Sequence, residues 1–298
     1  MRYGVSLPNF GGLADPALLA EVAREAERTG WDGFFLWDHV LLWPTPTVDP
    51  WVALSAAAMR TRRIRLGTVV TPLPRRRPVK LAREAVSLDH LSRGRLILGV
   101  GTGDGPWEWD YLGEEPNPRI RGAMLDEGLE LLDKLWSGEP VLHAGTHYRF
   151  GGGFDGEAPD PTPTPFLPRP LQRPRVPVWV AGVWPNRPPF RRAARWDGVV
   201  PRVRGGRFSR AATPEELREI VAYVRAHRPA DRPFDVVASG GTSGQDRARD
   251  AETVSAHAAA GATWWLEDIS PLAFGWRWAG PWPTEAMRDR IRRGPPAP

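Results

Sequence analysis

The chain has 298 residues, 41% hydrophobic and 25% charged, so it can form a large core and is not disordered as a whole. Its formal charge of +5 comes from basic and acidic residues interleaved along the chain, a pattern that does not predict a nucleic-acid-binding face. Cysteine is absent, which excludes disulfides and thiol chemistry, and no apolar run reaches the roughly 18 residues of a membrane span. With no signal peptide evident, we expect a cytoplasmic protein that binds neither nucleic acid nor membrane.

Short apolar runs alternate with amphipathic segments through the whole chain, in eight rounds. Asp15 before Pro16 predicts the start of the first helix, Asp49 that of the second, and Thr213 with Glu216 forms a capping box for the sixth. The predicted strands span residues 3–7, 33–37, 64–70, 95–100, 177–181, 198–203, 234–239 and 263–267. The predicted helices span residues 16–29, 50–58, 78–91, 119–136, 189–195, 214–227, a seventh segment ending near 261, and 284–293.

Eight strand-helix rounds at this length predict an α/β fold, a single (β/α)8 TIM barrel forming one domain over residues 1–298. A Pro/Gly-rich insertion at residues 139–175 interrupts the rhythm between helix 4 and strand 5. Phe150, Phe154 and Phe166 favour a lid over the active site, because a solvated loop gains nothing from three phenylalanines. An inert surface loop is the alternative.

The C-terminal ends of barrel strands form one face, which is where ligands bind in this fold. At the end of the second strand an apolar run stops at Asp38 and His39, and Trp43 follows four positions later. In isolation such a pair is better explained by a loop cap and a packed imidazole, but the rest of the chain reverses that preference. The other residues expected on this face are Asn9, Phe10, 68–72, 101–108, Ala181, Gly182, 202–206, 239–242, Glu267 and Asp268.

Small residues after the fifth and seventh strands, beside Arg202 and Arg204, predict an anion site of the kind that holds a phosphate. Residues 239–243 are the alternative place for that phosphate. No grouping of His, Asp and Glu has the spacing of a metal site. His143 and His147 lie outside any strong helix and lack nearby carboxylates, so we expect no metal.

Several stretches resemble the bacterial luciferase-like family of flavin- and deazaflavin-dependent oxidoreductases. Each motif is modest alone, but their order and spacing cover most of the chain and are strongest over residues 1–136. They are Gly-Trp-Asp-Gly at 30–33 running through Asp38-His39, and residues 66–74, 88–95, 99–108 and 177–182. The branch that uses coenzyme F420 (alcohol dehydrogenases, a sugar-phosphate dehydrogenase and methylene-tetrahydromethanopterin reductase) is the most similar.

The resemblance implies a TIM barrel that binds FMN or F420 across the C-terminal face. It matches the pattern Asp-His-x-x-x-Trp to Asp38, His39 and Trp43, and a catalytic carboxylate to Glu108. It also implies a non-prolyl cis peptide at Val69-Val70, or at Thr68-Val69. The implied cofactor contacts are Asp38, Thr68, Val69, Val70, Gly101, Thr102, Gly103, Ala181, Gly182, Arg202 and Arg204.

One departure concerns the phosphate contacts. The sugar-phosphate dehydrogenase has a lysine after the sixth strand, where this chain has Arg202 and Arg204. Arginine clamps a phosphate through two parallel N–H groups, so the role survives with altered geometry.

The chemistry expected of this site is hydride transfer between F420 and a small organic substrate. His39 is the base poised near neutral pH, and Asp38 either orients a ring contact or raises the basicity of His39. Trp43 supplies an apolar wall with one N–H donor. Glu108 protonates a ring nitrogen of the cofactor, provided that Trp107 and Trp109 desolvate its carboxyl group.

Two alternatives stay open: an FMN-dependent monooxygenase that activates O2, and a non-catalytic barrel that binds anions. By resemblance we also expect a homodimer. A flavin or F420 reductase is a further expected partner, since the monooxygenase alternative needs reduced flavin.

Overall fold

The computed structural model describes residues 1–42, 44–103, 105–151, 163–206, 209–277 and 280–296. The chain divides into two compact units. Unit 1 comprises Met1–Thr71, Ile97–Val100 and Pro177–Pro298, and unit 2 comprises Pro72–Leu96 and Gly101–Val176. The expectation of one domain over the whole chain stays a prediction.

Strands and helices alternate along the chain as predicted. The strands are β1 (Arg2–Leu7), β2 (Gly33–Leu36), β3 (Arg65–Pro72), β4 (Leu96–Gly101), β5 (Pro140–Val141), β6 (His143–Ala144), β7 (Arg149–Phe150), β8 (Thr164–Pro165), β9 (Val178–Trp184), β10 (Gly198–Val203), β11 (Asp235–Gly240) and β12 (Trp264–Asp268). The helices are α1 (Pro16–Arg28), α2 (Pro50–Arg60), α3 (Pro78–Ser92), α4 (Pro118–Ser137), α5 (Arg187–Ala193), α6 (Pro214–Arg225), α7 (Arg247–Ala259) and α8 (Thr284–Arg292).

Eight strands of unit 1 close into a barrel in the order β1-β12-β11-β10-β9-β4-β3-β2. The described pairings are parallel; Gly4 of β1, for example, lies opposite Gly33 on one side and Leu266 on the other. Because all strands run the same way, their C-terminal ends form one rim. The predicted TIM barrel is confirmed.

Three aromatic rings fill the interior of the barrel. Phe35, Trp179 and Trp264 lie with ring centroids 5.1 to 5.8 Å apart, and none of the three is exposed. Two glycines let the backbones of β3 and β4 approach each other. A Cβ on Gly67 would lie 2.0 Å from the Ile97 carbonyl oxygen, and one on Gly99 would lie 2.2 Å from that of Thr68. A larger residue at either position would therefore force these strands apart.

The predicted helix starts are confirmed. The Asp15 carboxylate accepts the N–H of Ala17 at 2.8 Å, the Asp49 carboxylate accepts two N–H groups at the start of α2, and Thr213 with Glu216 forms both bonds of a capping box. The end of β9 differs from its prediction, which placed it at residue 181. The strand continues to Trp184, because β10 pairs with it as far as Val203 opposite Trp184.

Unit 2 contains α3, α4 and the insertion. The Trp136 indole of α4 donates to the Ala82 carbonyl oxygen of α3 at 3.3 Å, which ties the two helices together. The insertion was predicted to be irregular, but part of it forms short strands. β5 pairs with β8 and β6 pairs with β7, both antiparallel.

Buried carboxylates anchor the insertion to these helices. Asp89 of α3 accepts the backbone N–H groups of Leu171 and Gln172, and Glu127 of α4 accepts those of His147 and Tyr148. Burial raises the pKa of Glu127, but the backbone N–H groups of His147 and Tyr148 outweigh this effect and lower it. The described flanks of the insertion are therefore fastened within unit 2.

Two of the three phenylalanines in the insertion pack within unit 2. Phe150 and Phe166 have ring centroids 6.2 Å apart, and the Arg83 guanidinium lies 3.9 Å from the centroid of Phe166. This packing accounts for both rings without a lid. Phe154 and residues 152–162 lie outside the described residues, and the lid stays a prediction. None of the helices in the described ranges is both long and apolar enough to cross a membrane.

Candidate active site

His39 lies just beyond the end of β2, and its backbone is held from both sides by Asn9, which follows β1. The Asn9 amide donates to the His39 carbonyl oxygen at 2.8 Å, and its own oxygen accepts the His39 N–H at 3.2 Å. A third bond runs from the Asn9 amide to the Val48 carbonyl oxygen at 2.7 Å, and Asn9 is fully buried. The imidazole therefore stands on a fixed backbone. Sequence reasoning placed Asn9 on this face but missed its positioning role, since only the folded chain brings residues 9, 39 and 48 together.

The buried carboxylate of Asp38 begins a chain of hydrogen bonds on the neighbouring strand. It accepts the Thr71 hydroxyl at 2.7 Å; Thr71 lies 3.0 Å from the Thr68 hydroxyl, which donates to the Gly99 carbonyl oxygen at 3.1 Å. The peptide bond between Val69 and Val70 within this stretch is cis, as the resemblance implies. This chain links the end of β2 to β3 and β4, so it fixes the direction of Asp38. Trp43 lies outside the described residues.

Aromatic rings surround His39 along the rim at β12, β1 and β2. Phe10 lies edge-on to His39 at 5.4 Å and to Trp282 at 5.7 Å between ring centroids. Trp37 lies 6.0 Å from His39, and Trp276 lies 5.3 Å from Trp282. We call Phe10, Trp37, Trp276 and Trp282 the aromatic wall.

A second group of polar side chains lies at the ends of β10 and β11. The Arg202 guanidinium donates to the Ser239 hydroxyl at 3.3 Å and to the Ser209 carbonyl oxygen at 3.0 Å. Arg204 is exposed, and its backbone N–H donates to the Trp184 carbonyl oxygen at 3.0 Å. We call Arg202, Arg204 and Ser239 the cationic arc. A guanidinium beside a hydroxyl is a donor set that suits a phosphate.

Hydrogen bonds to α6 hold the loop that follows β10. Arg210 pairs with Val203 through two backbone hydrogen bonds of 2.8 Å, and its guanidinium makes two bonds to the Glu216 carboxylate, at 2.6 and 2.7 Å. These bonds from Arg210, together with the Thr213 backbone N–H, lower the pKa of Glu216 to about 2. The end of β10 is thereby tied to the start of α6.

The alternative phosphate place at residues 239–243 is occupied by the protein's own carboxylates. Glu267 accepts the backbone N–H of Thr242, and Asp250 accepts those of Ser243 and Gly244. Backbone donors already paired with carboxylates cannot cradle a phosphate, and the negative charges repel one. Within this stretch only Ser239, at its start, contributes to the cationic arc.

The small residues Ala181 and Gly182 lie within β9 and are explained by packing. Ala181 packs against the barrel core, and a Cβ on Gly182 would lie 2.7 Å from Pro189 of α5. The close approach of α5 therefore requires a glycine at 182, whether or not a ligand lies nearby. The role of both residues in cofactor binding stays a prediction.

Glu108 lies in unit 2, in a short 3-10 helix (Pro106–Glu108), and is paired with an arginine that sequence reasoning missed. The Arg75 guanidinium lies 3.0 Å from the carboxylate, and the two side chains are 3% and 1% exposed. Trp109 is buried beside them, with Arg121 4.2 Å from its ring centroid, while the Trp107 side chain lies outside the described part of the chain. The expectation that Trp107 and Trp109 set the surroundings of this carboxyl group left out the arginine.

Gly101, Thr102 and Gly103 lie at the C-terminal end of β4. Gly101 ends the strand, Thr102 is half-buried, and Gly103 has a φ of +86°, a conformation that favours glycine. A Cβ on Gly103 would lie 1.9 Å from the Trp109 ring, so indole packing explains this glycine.

The prediction that His143 and His147 lack a carboxylate was wrong. Glu127 of α4 lies 3.2 Å from the His143 imidazole and accepts the His147 backbone N–H. The spacing hid it, because Glu127 is sixteen and twenty residues upstream. Within the described residues, no group of three or more His, Cys, Asp or Glu side chains is arranged to hold a metal ion.

Comparison with known proteins places this geometry in a family. The family model described as luciferase-like monooxygenase matches residues 1–289. The chain belongs to this family. The rim that carries His39 is the C-terminal rim of a luciferase-like barrel.

One curated relative is the F420-dependent glucose-6-phosphate dehydrogenase of Nakamurella multipartita. It is 36% identical over 168 residues, which cover 54% of this chain and 48% of that protein. The chain thus spans about half the length of the curated dehydrogenases that it matches.

Solved structures of luciferase-like proteins share the barrel. An F420-dependent secondary alcohol dehydrogenase in complex with an F420-acetone adduct aligns with a TM-score of 0.70 at 18% identity, covering 91% of this chain and 94% of that one. The coenzyme F420-dependent tetrahydromethanopterin reductase of Methanopyrus kandleri aligns with a TM-score of 0.70 at 16% identity, covering 98% and 96%. At these identities the likeness shows the fold.

Proposed function

We propose that this protein is an oxidoreductase that uses coenzyme F420 for hydride transfer to or from a small organic alcohol or carbonyl compound. The observation that carries the proposal is the position of His39, an imidazole on a backbone fixed by Asn9 at the rim of a luciferase-like barrel. Similarity to dehydrogenases named as F420-dependent supports the choice of cofactor. F420, when bound, supplies or accepts the hydride.

The residues of this chain supply the proton chemistry. In the oxidative direction the substrate hydroxyl gives its proton to His39 while its carbon loses a hydride, and an alcohol becomes a carbonyl compound. In the reductive direction the same imidazole returns the proton to the oxygen. Asp38 is proposed to orient this end of β2, because its carboxylate is directed by Thr71.

The donor set at the ends of β10 and β11 fits the phosphate of a deazaflavin or flavin cofactor. Arg202 is half-buried and already directed by Ser239 and Ser209, so binding an anion there requires little reordering. The adjacent carboxylates, Glu267 and Asp250, are engaged with backbone N–H groups of the following loop. Arg202 is therefore proposed as the main phosphate contact and Arg204 as a weaker one.

Three further roles rest on the resemblance. Glu108 is proposed to handle a second proton, Trp43 to border the substrate, and residues 68–70, 101–103, 181 and 182 to contact the cofactor. A homodimer and, for an FMN-dependent reaction, a reductase partner are proposed on the same basis. For Glu108, we expect Glu108→Gln to lower turnover more than cofactor affinity.

Titrating the purified protein with F420 and, separately, with FMN tests the proposal, with cofactor fluorescence as the readout. We expect saturable F420 binding that is tighter than FMN binding, and turnover of F420 with an alcohol. Tight FMN binding without F420 affinity would favour an FMN-dependent monooxygenase, in keeping with the family's description. Binding of inorganic phosphate without either cofactor would favour a non-catalytic anion-binding barrel.

A further inference from the structure

The aromatic wall forms a continuous row of rings that ends at the proposed base. From Trp276 the row passes to Trp282, then to Phe10, and from Phe10 to His39, with successive centroids 5.3 to 5.7 Å apart. Trp37 closes the group, 5.9 Å from Phe10. These residues come from three places in the chain: the ends of β1 and β2, and the loop before α8.

Packing of the barrel accounts for only part of this row. Phe10 is 4% exposed and belongs to the core, whereas Trp37, Trp276 and Trp282 are only half-buried and keep part of their surface open. Val40 and Leu41, which follow His39, are 51% and 38% exposed. Adjoining apolar surface of this kind is typical of binding sites, whereas single exposed apolar residues are ordinary.

Trp282 is seated rigidly. A Cβ on Gly11 would lie 1.8 Å from its ring, so the indole rests directly on the backbone of residue 11. Gly11 has a φ of +69°, which a larger residue adopts rarely. A ring held in this way loses little conformational entropy when a ligand packs against it.

The polar edges of two of these indoles are already used. The Trp37 N–H donates to the Ser6 hydroxyl at 3.0 Å, and the Trp276 N–H donates to the Gly280 carbonyl oxygen at 3.3 Å. These two rings therefore offer a ligand apolar faces rather than hydrogen bonds. Such faces suit a hydrocarbon ring better than a sugar, whose hydroxyl groups each require a partner.

We propose that the aromatic wall binds the hydrocarbon body of the substrate, and that Trp276 and Trp282 select neutral alcohols or ketones bearing an aromatic or alicyclic ring. This inference rests on the proposed function for the position of the reacting carbon at His39. It differs from the substrate that the dehydrogenase relatives are named for, glucose 6-phosphate.

Isothermal titration calorimetry of the full chain, with and without saturating F420, tests the proposal. The probes are acetophenone, acetone and glucose 6-phosphate. We expect acetophenone to bind at least about tenfold more tightly than acetone, because stacking of one ring on others contributes a factor of this order. Weaker binding of acetophenone than of glucose 6-phosphate, or no binding of acetophenone, would overturn the proposal.

Substitutions in the aromatic wall test whether it causes the tighter binding of acetophenone. Trp282→Leu and Trp276→Leu should each weaken acetophenone binding about five- to tenfold and leave acetone binding unchanged. Trp282→Phe, which keeps a ring on Gly11, should recover most of the loss. The matched control is Tyr223→Leu, which removes a half-buried ring of unit 1 that stacks on Trp184 and Arg187. Unchanged acetophenone affinity in folded Trp282→Leu and Trp276→Leu would overturn the assignment.

F420 affinity, measured separately, distinguishes the two proposals. If wild-type protein binds acetophenone through the wall but does not bind F420, the proposed cofactor is wrong and the wall stands. If it binds F420 and turns over glucose 6-phosphate in preference to ring-bearing alcohols, the proposed cofactor stands and the wall is wrong.

Discussion

The aromatic wall and the cationic arc occupy neighbouring stretches of one rim and hold their side chains by different means. In the cationic arc, Arg202 is directed by hydrogen bonds to Ser239 and Ser209. In the aromatic wall, Trp282 is directed by contact with the backbone at Gly11. Between them, on β12, lies Glu267, whose buried carboxylate pairs with Arg290 of α8.

The difference suits the rim to the two kinds of ligand group proposed for it. Hydrogen bonds with fixed directions suit an anion, whose position they specify, while ring faces tolerate variation in shape and select mainly against charge. The invariant part of a reaction, the cofactor, is thus best bound at the cationic arc. The variable part, the substrate, is best bound at the aromatic wall.

The largest effect is expected for the base at the end of the wall. His39→Ala should lower turnover about 10²- to 10⁴-fold, the usual contribution of a positioned acid-base group, while the F420 dissociation constant changes little. Steady-state kinetics and fluorescence titration measure the two quantities. His227→Ala, at an exposed histidine beyond α6, is the control. Wild-type turnover in His39→Ala would remove this residue from the mechanism and leave the wall without a reactive end.

The barrel and the position of His39 on its rim were predictable because each depends on local patterns. Capping residues such as Asp15 and Thr213 mark helix starts within three residues, and a buried run that stops at Asp38 marks a strand end. Contacts between side chains on the rim were less predictable. Trp282 reaches Phe10 across 272 positions of the chain, and no spacing rule connects them.

The ion-pair partner of Glu108 could not be predicted from the sequence either, although it lies closer along the chain. Arg75 lies 33 positions away, in a run of three arginines of which any one was an equal candidate. The charge environment of a carboxylate depends on which side chain the fold directs at it. Sequence reasoning therefore located the group but not its partner.

Protein stability should depend most strongly on the charge pair between Glu267 and Arg290, which lies between the two regions. Arg290→Met leaves the Glu267 carboxylate buried without its cation, which costs about 3–5 kcal/mol of unfolding free energy. Burial raises the pKa of Glu267 and Arg290 opposes the shift, so the variant raises this pKa further. Urea unfolding measures the loss.

The raised pKa of Glu267 determines how the stability loss in Arg290→Met depends on pH. A carboxyl group with a raised folded-state pKa adds stability below its unfolded pKa and loses it as pH rises through the folded value. The variant should therefore be nearest to wild type near pH 4 and furthest from it at alkaline pH. Arg292→Met, on the same helix but with a more exposed side chain, should show a much smaller loss. A pH-independent loss in Arg290→Met would contradict the assignment to Glu267.

The cationic arc should respond to charge removal in cofactor affinity rather than turnover. Arg202→Ala is expected to weaken F420 binding about ten- to hundredfold, because a hydrogen bond to a charged group contributes about 1.5–3 kcal/mol. Arg204→Ala should have a smaller effect, since this side chain is exposed. The double variant should lose most at low salt, where the ionic contribution is greatest.

Fluorescence titration at two salt concentrations measures these losses, with Arg218→Ala on α6 as the control. If the double variant binds F420 as tightly as wild type does, the phosphate lies elsewhere. Because Glu267 and Asp250 occupy the neighbouring loop, such a result would move it away from β10 and β11 altogether.

The smallest effect is expected for the brace behind the cationic arc. Glu216→Gln keeps a capping box, in which glutamine replaces glutamate readily, but removes the charge that holds Arg210. Arg210 pairs with Val203 one residue beyond Arg202, so the change loosens the loop without removing a ligand contact. We expect F420 affinity at neutral pH to fall less than about threefold, since exposed ion pairs contribute little.

The pH response is the sharper test of the same brace. The pKa of Glu216 is lowered from 4.5 to about 2, chiefly by Arg210. A depressed pKa adds stability above the unfolded value and loses it as pH falls through the folded one, so wild type should lose this contribution between about pH 4.5 and 2. Melting temperatures of wild type and Glu216→Gln should differ most above this window and converge below it. Glu215→Gln, which changes a more exposed neighbour paired with Arg218 at 3.4 Å, is the matched control. If the difference in melting temperature between wild type and Glu216→Gln stays constant through the acid range, Arg210 is held by something other than the Glu216 charge. The loop behind the cationic arc is then held by its backbone pairing alone.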